Sequence, residues 1–207
     1  MMFKQLKTLV IVAAAGFAAA CTPMFRSDVS TFHSNFAPSG QTIALTPMNP
    51  DRRDSLEFRQ YANMIGLQLG RYGFRQAGDN EPDLIAGFDI TINDGREKIE
   101  TYPSASRSSF WYSRHYWGFW GPYDPFFDTR FHDELRATTV YRVELRVELR
   151  QKDGTMLYEG RAETETRSNN LPKLVPLLAE ALFEEFPGPN GQTRHVKLDL
   201  TDRNDLN

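Results

Sequence analysis

The chain predicts an α+β fold: an antiparallel-rich sheet with two helices packed on one face, a two-layer sandwich, interrupted by an aromatic-rich insertion. Three observations predict it. Tyr141, Val143, Leu145, Val147 and Leu149 alternate without a break with Arg142, Glu144, Arg146, Glu148 and Arg150. A strand of this period has one dry face and one wet face. Two stretches, 54–72 and 171–186, instead repeat apolar residues every three to four positions, as helices with one buried side do. Between the two halves lies a run of aromatic residues that keeps neither period.

The elements follow in order. Val29, Thr31, His33 and Asn35 alternate with Ser30, Phe32, Ser34 and Phe36, a strand pattern with the aromatics on one face. Pro38-Ser39-Gly40 is a turn, and Thr42 to Met48 a second short strand. Asp54 stands three before Glu57, close to a capping box. Leu56, Tyr61, Ile65, Leu69 and Tyr72 then line one helix face until Gly73 stops it. Gly66 and Gly70 each cost about 1 kcal/mol against Ala. Their spacing lets another backbone approach, with a sheet beneath. Leu84, Ala86, Phe88, Ile90 and Ile92 form a third strand that Asn93-Asp94-Gly95 ends. Lys152-Asp153-Gly154 is a hairpin turn, after which Met156, Tyr158, Gly160 and Ala162 continue the dry face. Glu159, Arg161, Glu163 and Glu165 lie outside, where opposite charges across the hairpin pair. The second helix is capped by Asn170, takes Pro172 in its first turn and ends at Pro187-Gly188-Pro189. Val196, Leu198 and Leu200 make a last strand.

The start of the chain speaks about location. Lys4 and Lys7 precede an apolar run, Leu9 to Ala20, that closes on Ala18-Ala19-Ala20-Cys21. This is the layout of a secretory signal, and the lone cysteine after small residues looks like a bacterial lipoprotein signal. The Cys21 thiol would take a diacylglyceryl group, the chain would be cut before it, and the new amine acylated with a fatty acid such as palmitate. The run of about twelve residues is too short to span ~30 Å of hydrocarbon, which takes roughly 20. Thr22 stands where an inner-membrane retention Asp would, so the expected address is the outer membrane, lipid-anchored, with the domain in the periplasm. The expected divisions are a signal peptide (1–20), a tether (21–27), one α+β domain (28–200, insertion about 96–137) and a polar tail (201–207). Two of the 24 Lys/Arg and none of the 27 Asp/Glu fall in the signal, leaving the remainder at −5. An acidic domain is a poor nucleic-acid partner.

Residues 102–131 hold twelve aromatics, including every tryptophan, while Gly118, Gly121, Pro122 and Pro125 break any helix. Rings at this density cover a sheet, anchor a protein contact or sit at a lipid or glycan boundary. Trp111, Tyr112, Tyr116, Trp117, Phe119 and Trp120 are the candidate contacts with a partner or membrane, the partner being an unidentified envelope protein.

Residues for bond-making chemistry are sparse. His33, His115, His132 and His195 show no metal-ligand spacing. Ser104, Ser106, Ser108 and Ser109 lack a nucleophile elbow, and no glycine-rich phosphate loop is present. The single cysteine precludes an intramolecular disulfide or a thiolate metal cluster. No catalytic residue, metal or cofactor is assigned, and the expectation is a non-enzymatic binding or structural module. The alternative is a lipid- or glycan-directed hydrolase whose aromatic insertion holds substrate. It requires a desolvated carboxylate or histidine beside a nucleophile. Self-association through an edge strand, the first or the last, is a third expectation.

Cys21, the strand with Phe32 and Phe36, Pro82-Asp83-Leu84-Ile85-Ala86-Gly87-Phe88, Trp117-Gly118-Phe119-Trp120-Gly121, Leu157-Tyr158-Glu159-Gly160-Arg161-Ala162 and Phe183-Glu184-Glu185-Phe186-Pro187 occur in that order. Together they resemble the domain of unknown function 4136 family of bacterial envelope lipoproteins over most of residues 28–200. Tyr158 stands where that family commonly has Trp. The resemblance implies an envelope lipoprotein with no established activity and supplies no catalytic residues.

Overall fold

The computed structural model describes residues 23–34, 37–102 and 134–201. Eight strands and two α-helices occur among them: β1 (Met24–His33), β2 (Thr42–Pro47), α1 (Leu56–Gly70), β3 (Arg75–Gln76), β4 (Leu84–Ile92), β5 (Arg96–Tyr102), β6 (Glu134–Gln151), β7 (Met156–Thr166), α2 (Leu171–Phe183) and β8 (Gln192–Asp199). The sheet order is β3-β2-β4-β6-β7-β1-β8, with β5 paired to the first half of β6. β2 runs parallel to β3 and β4, and every other pairing is antiparallel. The parallel β2–β4 pair follows from its connection, because α1 carries the chain back across the sheet.

The alternation in β6 sets the dry face. Val143, Leu145, Val147 and Leu149 are all fully buried, and they share one core with Val29, Ala86, Phe88, Tyr158 and Ala162. Both helices close that core, α1 through Tyr61, Ile65 and Leu69, α2 through Leu174, Leu178 and Leu182. The two-layer α+β architecture is therefore as the periodicities require. Ser55, not Asp54, caps α1, its hydroxyl accepting from the Phe58 amide at 3.3 Å. That shift leaves Leu56, expected inside, 75% exposed in the first turn. Gly66 is buried against side chains, not backbone: a Cβ there would lie 2.9 Å from Gln76 Nε2 and 3.2 Å from Leu45. Gly70 has nothing within reach. Gly154 turns the β6–β7 hairpin at φ +89°.

Two expectations about strands are corrected. The tether expected over 21–27 gives way at Met24, because Phe25 and Ser27 already point inward between Met24, Arg26 and Asp28. On the same strand Val29 and Thr31 are buried while Phe32 is 54% exposed, so the aromatic face is the outer one. β1 lies between β7 and β8, which removes the first strand as an edge; β8, the last, is an edge. Asn93-Asp94-Gly95 ends β4 at Ile92, as expected. Ile92 pairs with Val143 and Arg96 with Val140, so three residues oppose two and the pairing with β6 resumes beyond a bulge.

Among the described residues the outer face carries no helix. Across the hairpin, register opposes Glu144 to Glu163, Arg146 to Arg161 and Glu148 to Glu159. Directly facing residues are thus mostly like-charged, and the expected pairing across the hairpin is met between offset residues. The ion pairs run diagonally instead, Arg142 to Glu163 at 3.1 Å and Arg161 to Glu144 at 3.4 Å, or along a strand, Arg150 to Glu148 at 2.7 Å. Arg142 and Glu165, directly opposed, meet at 3.3 Å.

Candidate functional site

Cys21 and the candidate contacts Trp111, Tyr112, Tyr116, Trp117, Phe119 and Trp120 lie outside the described residues. The structure describes what presents them. β6 is 18 residues long. β4 pairs with it from Val143 and β7 from Tyr141, so Glu134 to Val140 pair with β5 alone. Sheet pairing thus continues as a two-stranded ribbon of seven rows, ~23 Å at ~3.3 Å per residue. Its last row joins Tyr102 to Glu134, so residues 103–133 leave and re-enter the described structure as neighbours at the ribbon tip. Ile99, opposite Ala137, is 65% exposed. This ribbon occupies the flanks of the insertion expected over 96–137. Its signal in the sequence is the short run Ile99, Thr101, Tyr102, which the bulge at Asn93–Gly95 detaches from the preceding alternation.

Elsewhere the polar groups fasten the fold. Asp83 accepts from the Thr42 amide and hydroxyl, both at 2.8 Å, tying the start of β2 to the start of β4. Those two bonds hold its carboxyl below the usual carboxylate range. Asp153, through the Thr155 amide, and Asp199, through the Thr201 hydroxyl and amide, are lowered in the same way. Each accepts two positions ahead and closes a turn. These three exposed carboxylates stay ionised and cannot store a proton for transfer near neutral pH. His195 Nδ1 lies 2.5 Å from Asp28 Oδ1 on the outer face of the β1–β8 edge. His33 Nε2 contacts the Gly188 carbonyl at 3.1 Å.

Two buried tyrosines have no hydrogen bond to their hydroxyls, Tyr61 and Tyr158. Burial, then the nearby Glu57 carboxylate, pushes Tyr61 up to about 12. Burial pushes Tyr158 higher still, against the opposing charge of Arg194. Both remain protonated near neutral pH. The Tyr158 ring packs against Phe186, centroids 4.8 Å apart, and Phe186 meets Tyr72, Phe74 and Phe183 at 5.1 to 6.0 Å. A groove of about 540 Å³, lined by Gln41, Asp83, Gln151, Lys152 and Asp153, opens to solvent at the opposite end of the sheet from the ribbon. Among the described residues no three His, Cys, Asp or Glu side chains gather as a metal site.

Fold and site together define a class: a two-layer α+β domain whose sheet extends as a ribbon bearing a long aromatic segment. The chain matches the family described as Domain of unknown function (DUF4136) over residues 26–188. That match covers most of the sequence, and the chain belongs to the DUF4136 family. No curated protein matches it. Among solved structures it is similar to a PDZ domain protein from Parabacteroides distasonis ATCC 8503, at 13% identity and TM-score 0.51. The match covers 90% of this chain and 42% of that one. The chain therefore spans less than half of that protein, and the likeness is one of fold.

Proposed function

We propose that this protein is an acyl-anchored envelope lipoprotein, held through Cys21 on the outer membrane with its domain in the periplasm, and that it works by binding, not by bond-making. The residue 1–21 pattern supports the anchor. The observation that carries the binding role is the ribbon: sheet pairing runs beyond the two-layer body, with no helix over it among the described residues, and its last row, Tyr102 with Glu134, flanks the aromatic segment in sequence. The contact set is Trp111, Tyr112, Tyr116, Trp117, Phe119 and Trp120.

In-cell photocrosslinking from Trp117, with envelope fractionation and intact-mass analysis of the purified product, tests the reading. The expected result is a product cut before Cys21 and carrying acyl groups, with adducts that depend on the ribbon. An uncut leader or a bare thiol at Cys21 overturns the anchor, and an absence of any adduct overturns the contact role.

A further inference from the structure

The ribbon and the start of the domain leave the sheet from the same end. β1 begins at Met24, and its antiparallel register with β7, Asp28 opposite Glu163, sets Met24 level with the end of β7 at Thr166. The register of β7 with β6 places Tyr141 at that same level. Rows Glu134 to Thr139 of β6, with β5 beside them, thus lie beyond Met24 on the side toward which the chain runs back to Cys21. Six rows extend ~20 Å at ~3.4 Å per residue. Sheet twist turns each neighbouring strand by about 20–25°. Two steps from β6 to β1 therefore leave ~14 Å of the ribbon along the direction of β1. Cys21 precedes Met24 by three residues, which reach at most ~11 Å at ~3.6 Å each. The ribbon goes at least as far as the anchor can.

One side of the ribbon places Ile99 and Ala137 next to Glu97 and Thr139, with neither helix over them. In β6 the odd positions face the helices, so Ala137 and Thr139 continue the side of Val143 and Leu145. Neither helix covers them: Ala137 and Thr139 are exposed, and Ile99, the register partner of Ala137, is 65% exposed. On this side Ile92 of β4 is 37% exposed and Ile99 is 65% exposed, so apolar exposure rises from the body into the ribbon.

Given the acyl anchor proposed above, on which this rests, we infer that the β5–β6 ribbon lies against the same lipid surface that holds Cys21, with Ile99 and Ala137 at the headgroup boundary. With only Thr22 and Pro23 between Cys21 and β1, the chain is too short to swing the domain away. A protein partner beside the membrane would not require the ribbon to point at the bilayer plane.

The test uses the full, natively acylated chain with a single environment-sensitive fluorophore at I99C, at A137C, or at K152C in the hairpin turn of the far end. Acylation occupies the Cys21 sulfur, so each variant has one free thiol. Reconstituted in phosphatidylethanolamine–phosphatidylglycerol vesicles containing a headgroup nitroxide, the labels at 99 and 137 should shift to the blue and lose emission, while the label at 152 should do neither. Labels at 99 and 137 quenched no more than the one at 152, on protein whose mass confirms the acyl groups, overturn the inference and leave the anchor standing. A discrete protein adduct from a photocrosslinker at residue 99, without lipid quenching, also overturns it and assigns the ribbon to a protein. A bare thiol at Cys21 overturns the anchor reading itself.

Discussion

At the scale of single residues, Gly160 and Tyr158 form the tightest constraint on the dry face. A Cβ on Gly160 would lie 2.2 Å from Tyr158 Oη and 2.7 Å from its Cζ, so the tyrosine ring occupies the space that glycine leaves along its own strand. The ring is held there by Phe186 and is fully buried. Gly160→Ala should lower stability by about 1–3 kcal/mol, because an overpacked site must displace a ring that has nowhere to go. The drop is read as a fall in urea midpoint; an unchanged midpoint would mean that the ring moves freely. Tyr158→Phe removes a buried hydroxyl that makes no hydrogen bond, and should be neutral or stabilising by about 1 kcal/mol. The sequence showed Tyr-x-Gly-x-Ala as a motif and placed all three residues on the dry face. It could not show that the glycine serves the tyrosine, because that depends on a side-chain torsion. Asp83 gives a residue-scale pH effect. Its folded pKa is depressed by the Thr42 donors, so its contribution is present above the ordinary carboxylate pKa of about 4 and is lost as pH falls through the lower folded value. Wild type should lose stability below pH ~4, and Asp83→Asn should show a smaller acid-induced loss in denaturant titrations at a series of pH values. An equal loss in both would place the effect on other carboxylates.

Among the elements, those with long, regular periods were legible in the sequence, and those set by pairing were not. The Tyr141–Leu149 part of β6, β7 and α2 follow from alternation and spacing alone, since a core face imposes itself on every residue of those segments, whereas the Glu134–Val140 part of β6 was not read. β3, at two residues, has no period to read. β5 was hidden because a bulge resets the alternation and both its faces are largely exposed, so no polarity contrast marks it. The candidate contact residues were legible only as composition, and the two paired strands that flank their segment in sequence were not read. That ribbon supports a deletion. Tyr102 and Glu134 are register partners, so a two-residue Asn-Gly turn can replace 103–133 as the end of an ordinary hairpin. The shortened protein should stay folded, with an unchanged thermal midpoint, and lose its crosslinked partners. A protein that unfolds instead would show that 103–133 completes the core, and would end the contact reading.

For the whole molecule, the decisive quantity is how two membrane contacts share the work. No helix among the described residues is long and apolar enough to cross a bilayer, so attachment in the proposed arrangement comes from the acyl groups and the ribbon. Each buried methylene of an acyl chain contributes about 0.8 kcal/mol, and two chains hold a protein stably where one is marginal. A ribbon side with one exposed isoleucine contributes far less than a single chain. The acyl groups must therefore supply the affinity, while the ribbon fixes the orientation of a body that is already moored. The consequence is an asymmetry between binding and spectroscopy. Residues 22–207 prepared without acylation should remain in the supernatant when vesicles are sedimented, and Trp111, Trp117 and Trp120, the only tryptophans in the chain, should show no blue shift on vesicle addition. The acylated protein should sediment, withstand high salt because its attachment is apolar, and show the shift. If the unacylated domain sediments as well and is released by salt, charge at the surface carries the attachment and the division of labour between anchor and ribbon is wrong. If the acylated protein sediments with tryptophan emission unchanged, the anchor holds a domain whose aromatic segment faces away from lipid.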